Sequence, residues 1–212
     1  MRGYGQYCPI ALAAEVFAER WTPIIIRNLY LGCDHFTAIL DGAPGLPRSV
    51  LSQRLRTLQH AGVVTRTGDG WVLTASGREL AEVCLHLGAW GARWRHARPG
   101  DQDPYLALWM LSRLIDPAGL PRPRIVVAFH VTDRPAPNRY WLVLSRTGNE
   151  VCVSSPGHPE DGWVSGEVAA LVRWYASEQP LRDTGMDVVA PPWLERQLAA
   201  WGRLNPYAVN AV

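Results

Sequence analysis

The chain has no lysine, and all 21 of its basic residues are arginine. Coding bias explains that as simply as any function does, so this absence excludes nothing. Other absences exclude more. The four cysteines, Cys8, Cys33, Cys84 and Cys152, include no Cys-x-x-Cys pair, so neither a disulfide framework nor a zinc finger is suggested. Cys33-Asp34-His35 and Cys84-Leu85-His86 come nearest to a metal pair, but on a helix residues i and i+2 point well apart, so Cys84 and His86 do not easily share an ion, and no metal is expected. The apolar run near the start is cut by Glu15 and later runs are too short to cross a bilayer. Nothing reads as a signal peptide, so a cytoplasmic protein with no membrane partner is expected. Gly-x-Ser-x-Gly, a Gly-rich phosphate loop after a strand, and His-Glu-x-x-His are all missing, and the loop Ser154-Ser155-Pro156-Gly157-His158 has no evident acid partner. An enzyme is therefore the least expected class, with no catalytic residue and no cofactor.

What is present is enough for one large domain or two small ones: 212 residues, 48% of them hydrophobic. Charge is uneven. Residues 1–98 carry 11 Arg against 7 acids, and residues 99–212 carry 10 against 12. The basic half contains the most informative stretch, Leu46 to Gly62. Pro47 suits the first turn of a helix and Gly62 the residue past its end. Between them Leu51, Leu55 and Leu58 form one apolar stripe, and Arg48, Ser49, Ser52, Gln53 and Arg56 fall on the other side without an acid. Arg and Gln reach base edges, Ser and Arg reach phosphates, and a helix N-terminus adds partial positive charge. Any amphipathic surface helix has a polar face, so context decides. Val63-Val64-Thr65-Arg66 and Trp71-Val72-Leu73-Thr74 flank a Gly/Asp turn and read as a hairpin, the wing of a winged helix-turn-helix.

Upstream, Pro9 to Glu19 reads as a helix. A second runs from Thr22, a candidate N-cap, through Pro23, Ile24, Ile25, Ile26, Leu29 and Tyr30 to Gly32, with apolar residues all round it. Phe36 to Leu40 fits a third, and Asp41-Gly42-Ala43-Pro44-Gly45 is the turn into the recognition helix. After the wing, Ala75 to Arg95 has helical composition.

In order and spacing, Tyr7-Cys8-Pro9-Ile10, Glu19-Arg20-Trp21-Thr22, Leu31-Gly32 with His35-Phe36, Leu51-Ser52-Gln53-Arg54-Leu55-Arg56-Thr57-Leu58, and Leu73-Thr74-Ala75-Ser76-Gly77-Arg78-Glu79-Leu80 resemble the HxlR family of bacterial winged helix-turn-helix regulators. The resemblance spans about residues 7–95. It implies a homodimer on double-stranded operator DNA, held through its first and last helices, with Trp90 and Trp94 offering the aromatic area; packing against a second domain is the competing use of these two. Candidate DNA contacts are Arg48, Ser49, Ser52, Gln53, Arg54, Arg56 and Arg66, although Arg54, beside Leu51 and Leu55, is also placed to pair internally. The residues between Arg66 and Trp71 make a wing shorter than the family's. In some family members a cysteine before proline senses oxidants or electrophiles, which makes Cys8 a redox candidate.

Composition changes at His96 to Pro104, a polar run with Pro and Gly, which divides residues 1–98, the DNA-binding and dimerisation domain, from residues 99–212. Beyond it, Tyr105 to Ile115 reads as a helix, and Arg124 to Thr132 has the two-residue period of a strand. Tyr140 to Arg146 and Glu150 to Ser154 read as strands joined near Thr147-Gly148-Asn149, and Val168 to Ser177 and Trp193 to Arg203 as helices. The fold class is α+β, a winged helix-turn-helix followed by a second α+β module. Through Phe129-His130-Val131-Thr132, the hairpin Tyr140-Trp141-Leu142-Val143 with Glu150-Val151-Cys152-Val153, and Trp163-Val164-Ser165-Gly166, that module resembles the sterol carrier protein 2-like fold. The resemblance implies a lipid-binding cup for a hydrophobic effector, with Trp109, Trp141 and Trp174 as lining candidates; ordinary core packing is the competing reading for each. Three functions follow: a repressor responding to a hydrophobic ligand, a thiol switch through Cys8, or a hydrophobic-metabolite carrier with a vestigial winged domain.

Overall fold

A computed structural model describes residues 3–95 and 98–208. The chain forms two compact units, residues 1–88 and 89–212. His96 and Ala97, in the run read as a linker, lie outside the described residues, and Pro99–Asp101 form a single 3-10 turn.

The first unit opens with α1 (Pro9–Phe17), of which only Ala11 is buried, and α2 (Thr22–Tyr30), which buries Ile25, Ile26, Asn28 and Leu29. Two expectations about α2 are corrected. Thr22 does not cap it: Trp21, in the left-handed region at φ 76°, takes the flanking position with no side-chain cap, and Thr22 is buried as the first helical residue. Nor is α2 apolar all round, since Tyr30 is exposed and the polar Asn28 is fully buried. Asn28 is tolerated because its amide donates to Ile39 O at 2.8 Å, tying α2 to α3 (Phe36–Asp41).

Helix α4 (Arg48–His60) ends at Ala61, with Gly62 beyond at φ 72°, a conformation glycine adopts without strain. β1 (Val64–Thr67) and β2 (Gly70–Leu73) pair antiparallel with Thr67 opposite Gly70, so the loop is Gly68-Asp69. α5 (Ala75–Trp94) follows at once. The Thr74 hydroxyl accepts from Gly77 N–H at 3.1 Å and aims its own proton at Gly62 O, 2.6 Å away. Gly77 is required there: a Cβ would lie 2.1 Å from Val63 O.

After the end of α5, the second unit continues with α6 (Pro104–Leu114), capped by Asp103, whose carboxylate accepts from Tyr105 and Leu106 N–H. β3 (Arg124–Val131), β4 (Arg139–Ser145) and β5 (Gly148–Cys152) form an antiparallel meander. β6 (Gly162–Gly166) lies parallel to β3, and β7 (Asp187–Val189) antiparallel to β6, giving the order β5-β4-β3-β6-β7. α7 (Val168–Tyr175) sits between β6 and β7 in sequence, and α8 (Pro192–Trp201) ends the unit.

Alternation along β3 sends Ile125, Val127, Phe129 and Val131 into the main core with Leu108 and Leu111 of α6, Leu171 and Trp174 of α7, and Leu194 and Leu198 of α8. The opposite face carries a smaller cluster of Val126, Trp141 and Val143, flanked by Ala128 and Cys152. Asn149, in the hairpin, donates to Ser112 O and Ile115 O and fastens β5 to the end of α6.

Candidate functional site

Each side chain on α4 falls where the leucine stripe puts it. Leu51, Leu55 and Leu58 are buried, while Arg48, Ser49, Gln53 and Arg56 are exposed and Ser52 is half-buried. The exposed face holds two guanidiniums, an amide and a hydroxyl, with no acid among residues 48–60. Arg54 stands apart: its guanidinium donates to Glu19 Oε2 at 2.7 Å and its side chain is only 15% exposed. It is thus spent on holding α4 against the segment between α1 and α2, and the internal-pairing alternative for it is the observed one. Glu19 gave no local signal, because the pair joins residues 35 apart.

Other bonds fix the pitch of α4. The Arg27 guanidinium donates to Asn28 Oδ1 and to Gly42 O, in the turn before α4. The Arg48 guanidinium lies 5.0 Å over the Phe36 ring. On the wing, Trp71 N–H donates to Asp34 O at 2.8 Å, anchoring β2 beside α3. Arg66 is exposed and sits 5.4 Å over Trp71, and Asp69 occupies the loop. The wing therefore offers one cation and one acid.

Cys8 is half-buried at the residue preceding α1. Cys33 and Cys84 are buried. The Cys84 thiol points to Pro23 O at 3.7 Å, and burial pushes its pKa from 9.0 to about 11, opposed in part by Arg27. Burial, with Glu150 adding to it, also raises Cys152. On α5, Trp90 and Trp94 are 56% and 65% exposed, together with Val83 and Leu87. On and before α1, Tyr4, Tyr7, Ile10 and Leu12 are exposed as well.

The three tryptophans offered as pocket lining do not meet. Trp174 stacks on Phe129 at 6.0 Å on the helix side of the sheet and donates to Leu198 O. It touches a cavity of about 470 Å³ that also involves Leu181, Met186, Val188 and Ala199. Trp141 is on the opposite sheet face, in a cavity of about 330 Å³ with Ala128, His130, Arg139, Glu160, Trp163 and Ser165. Trp109 lines neither cavity: it is buried in α6, with Arg113 5.3 Å over its ring and no partner for its indole N–H among the described residues. α6 buries Ala107 through Ser112 without a break, so periodicity cannot tell which side of it faces a cavity. His130, Arg139, Glu160 and Ser165 were not expected as lining beside Trp141 and Trp163, because strand pairing, not spacing along the chain, gathers them.

Among the described residues no helix is long and apolar enough to cross a membrane. The HxlR-like helix-turn-helix model matches residues 16–99. An uncharacterized HTH-type transcriptional regulator of Synechocystis sp. is 29% identical over 97 residues, 42% of this chain and 72% of that protein. The uncharacterized HTH-type transcriptional regulator YvaP of Bacillus subtilis is 30% identical over 97 residues, 42% of this chain and 90% of its own length. YdeP of the same organism, described in the same words, is 27% identical over 95 residues, 42% of this chain and 74% of its own. The family model's match covers most of the first unit, including the acid-free α4 and its wing, and the start of the second. The chain belongs to the HxlR-like helix-turn-helix family and is a DNA-binding transcriptional regulator, a class of regulators rather than enzymes.

Proposed function

We propose that this regulator is a homodimeric repressor that sets α4 of each protomer into successive major grooves of an inverted-repeat operator, about one helical turn apart. The observation that carries this reading is the acid-free outer face of α4, where Arg48, Ser49, Gln53 and Arg56 stand clear of the leucines that anchor the helix. Gln53 and Ser49 read base edges. Arg48, Arg56, Ser52 and, from the wing, Arg66 hold phosphates. Residues 1–98 supply DNA binding and dimerisation. The dimer forms through α1 and α5, whose exposed Ile10, Leu12, Val83, Leu87, Trp90 and Trp94 are more apolar surface than two single helices ordinarily leave in water.

Residues 99–212 form a ligand-binding domain resembling the sterol carrier protein 2-like fold. The order helix, meander, parallel strand and helix supports that resemblance, and the two cavities supply room for a hydrophobic small molecule. Such an effector acts only through a difference in affinity for the DNA-competent and DNA-incompetent states. A coupling of about 1–3 kcal/mol changes operator affinity roughly 5- to 150-fold.

A gel shift on the DNA upstream of the gene tests the reading. Gln53→Ala should lose about 1–3 kcal/mol on the operator alone. If Arg48→Ala and Gln53→Ala both leave affinity unchanged, α4 is not the reader. The thiol-switch reading rests on Cys8 being the half-buried cysteine beside a helix start, whereas Cys84 and Cys152 hold their protons more tightly than usual. It requires that oxidant abolish the shift in the wild type and spare Cys8→Ser.

A further inference from the structure

We infer that the sheet face of the second unit turned away from its helices binds a planar aromatic carboxylate, held between Trp141 and Trp163. Strand register places Cys152, Trp141, Ala128, Trp163 and Val189 in one row across all five strands. The two tryptophans stand on strands either side of β3, and the residue between them is alanine, so a methyl group is the floor of the slot. Strands lie 4.7–4.9 Å apart, so the two Cβ atoms are about 9.6 Å apart. With both indoles upright on the sheet at that spacing, a ring inserted midway would have its centroid about 4.8 Å from each, within the 4.5–7 Å range of interacting aromatic centroids. The cavity found there, about 330 Å³, takes a one- or two-ring molecule.

The walls differ in a way that suits a ligand. The Trp141 indole N–H donates to Glu160 Oε1 at 2.7 Å and the residue is only 9% exposed, so this wall is fixed in place. Trp163 is 40% exposed and is the open wall. Trp174, on the other side of the sheet, is by contrast buried.

The next row along the strands contains Arg139, His130, Ser165 and Asp187. Arg139 is exposed and makes no ion pair among the described residues. The one acid in the cavity lining, Glu160, has one carboxylate oxygen bonded to the Trp141 indole and makes no ion pair with Arg139 among the described residues, and Asp187 lies three strands from Arg139. A guanidinium with no salt-bridge partner beside an aromatic slot favours an anion there, and its planar fork matches a carboxylate. Two residues along a strand span about 6.6 Å, so the acid group belongs directly on the ring or a bond or two beyond it. The Ser165 hydroxyl and His130 Nδ1, 3.5 Å apart, are the remaining polar groups at that end.

This site deepens the ligand-responsive reading and depends on it only for the effect at the operator; binding stands independently. The test uses the full-length protein, tryptophan fluorescence and calorimetry, with 2-naphthoate, uncharged 2-naphthol and decanoate as probes. 2-Naphthoate should bind and quench, and Trp163→Ala should weaken it at least tenfold. Arg139→Gln should weaken 2-naphthoate at least tenfold and leave 2-naphthol unchanged. Ala128→Leu, which fills the floor, should exclude both aromatic probes. The inference is overturned if 2-naphthoate fails to bind at millimolar concentration, if neither Trp163→Ala nor Arg139→Gln affects it, or if decanoate binds better than the aromatic acid. It is also overturned if Trp163→Ala alters the oligomeric state and not the affinity, which would make this face a protein contact. Naphthoate binding that leaves the gel shift unchanged keeps the site and removes its role as effector site.

Discussion

In the first unit, the groups offered to solvent stand across a helix from its leucines. In the second, they stand on a sheet whose far side is the core. The α4 face is local: Leu51, Leu55 and Leu58 recur within a few turns, and whatever lies between them must point outward. The Trp141–Ala128–Trp163 row is assembled from three strands, β3 pairing antiparallel with β4 and parallel with β6, over residues 128 to 163. A helix therefore announces its outer face, whereas a sheet announces two faces and leaves their neighbours to be set by pairing.

The largest expected effect sets one tight glycine from each unit against the other. A Cβ at Gly77 would lie 2.1 Å from the Val63 carbonyl oxygen, and one at Gly202 would lie 2.2 Å from Trp174 Nε1. Backbone cannot yield as a side chain can, so Gly77→Ala should cost about 3 kcal/mol and Gly202→Ala about 1–3 kcal/mol. Denaturant unfolding measures both, and a smaller loss at Gly77 would break the comparison.

Alkali sharpens it further. In the first unit the Cys84 pKa is raised from 9.0 to about 11, by burial against the opposing Arg27. In the second, Tyr140 is raised from 10.0 by burial and Asp103, with Arg134 opposing. In both cases the folded state holds the proton more tightly than the unfolded one, so stability is full below the ordinary value and declines as pH rises above it. For Cys84 the decline spans pH 9 to 11 and amounts to about 2–3 kcal/mol. Unfolding curves of Cys84→Ala should lack that decline, and the step due to Tyr140 should begin about one pH unit later.

Within the first unit, Arg54→Ala should lower stability by about 1–2 kcal/mol, because it leaves Glu19 partly buried and unpaired. Arg56→Ala should leave stability unchanged and reduce the salt slope of operator binding by about one unit. Melting and salt titration of both variants separate the two arginines, and identical behaviour would show that exposure does not distinguish their roles. The smallest effect belongs to the wing: Arg66→Ala removes an exposed cation–π contact with Trp71 and should cost about 0.5–1 kcal/mol in unfolding measurements.

Most of the first unit was legible because its signals are short-range. Pro47 and Gly62 bracket α4, the Gly/Asp turn marks the wing, and 3.6-residue periodicity gives α1 to α5. Thr22 misled because Trp21 takes a left-handed conformation that composition does not advertise. In the second unit the alternation of β3 was visible, but β6 and β7 were not recognised as strands. β6 begins and ends in glycine and β7 has three residues, so both owe their conformation to pairing partners rather than to propensity. The cavity residues share that origin. Trp109 was misplaced for a different reason: a helix buried all round gives no stripe to orient it.

The Thr74 hydroxyl touches three things at once: Gly62 O just past α4, Val63 O at the base of the wing, and the Gly77 N–H in the first turn of α5. With Gly77 pressed against Val63 beside it, the corner has no slack. The end of α4, the base of the wing and the start of α5 are therefore tied through one oxygen atom as well as through the backbone. A shift of the first turn of α5 reaches the end of α4 by that short route, without passing through the hydrophobic core.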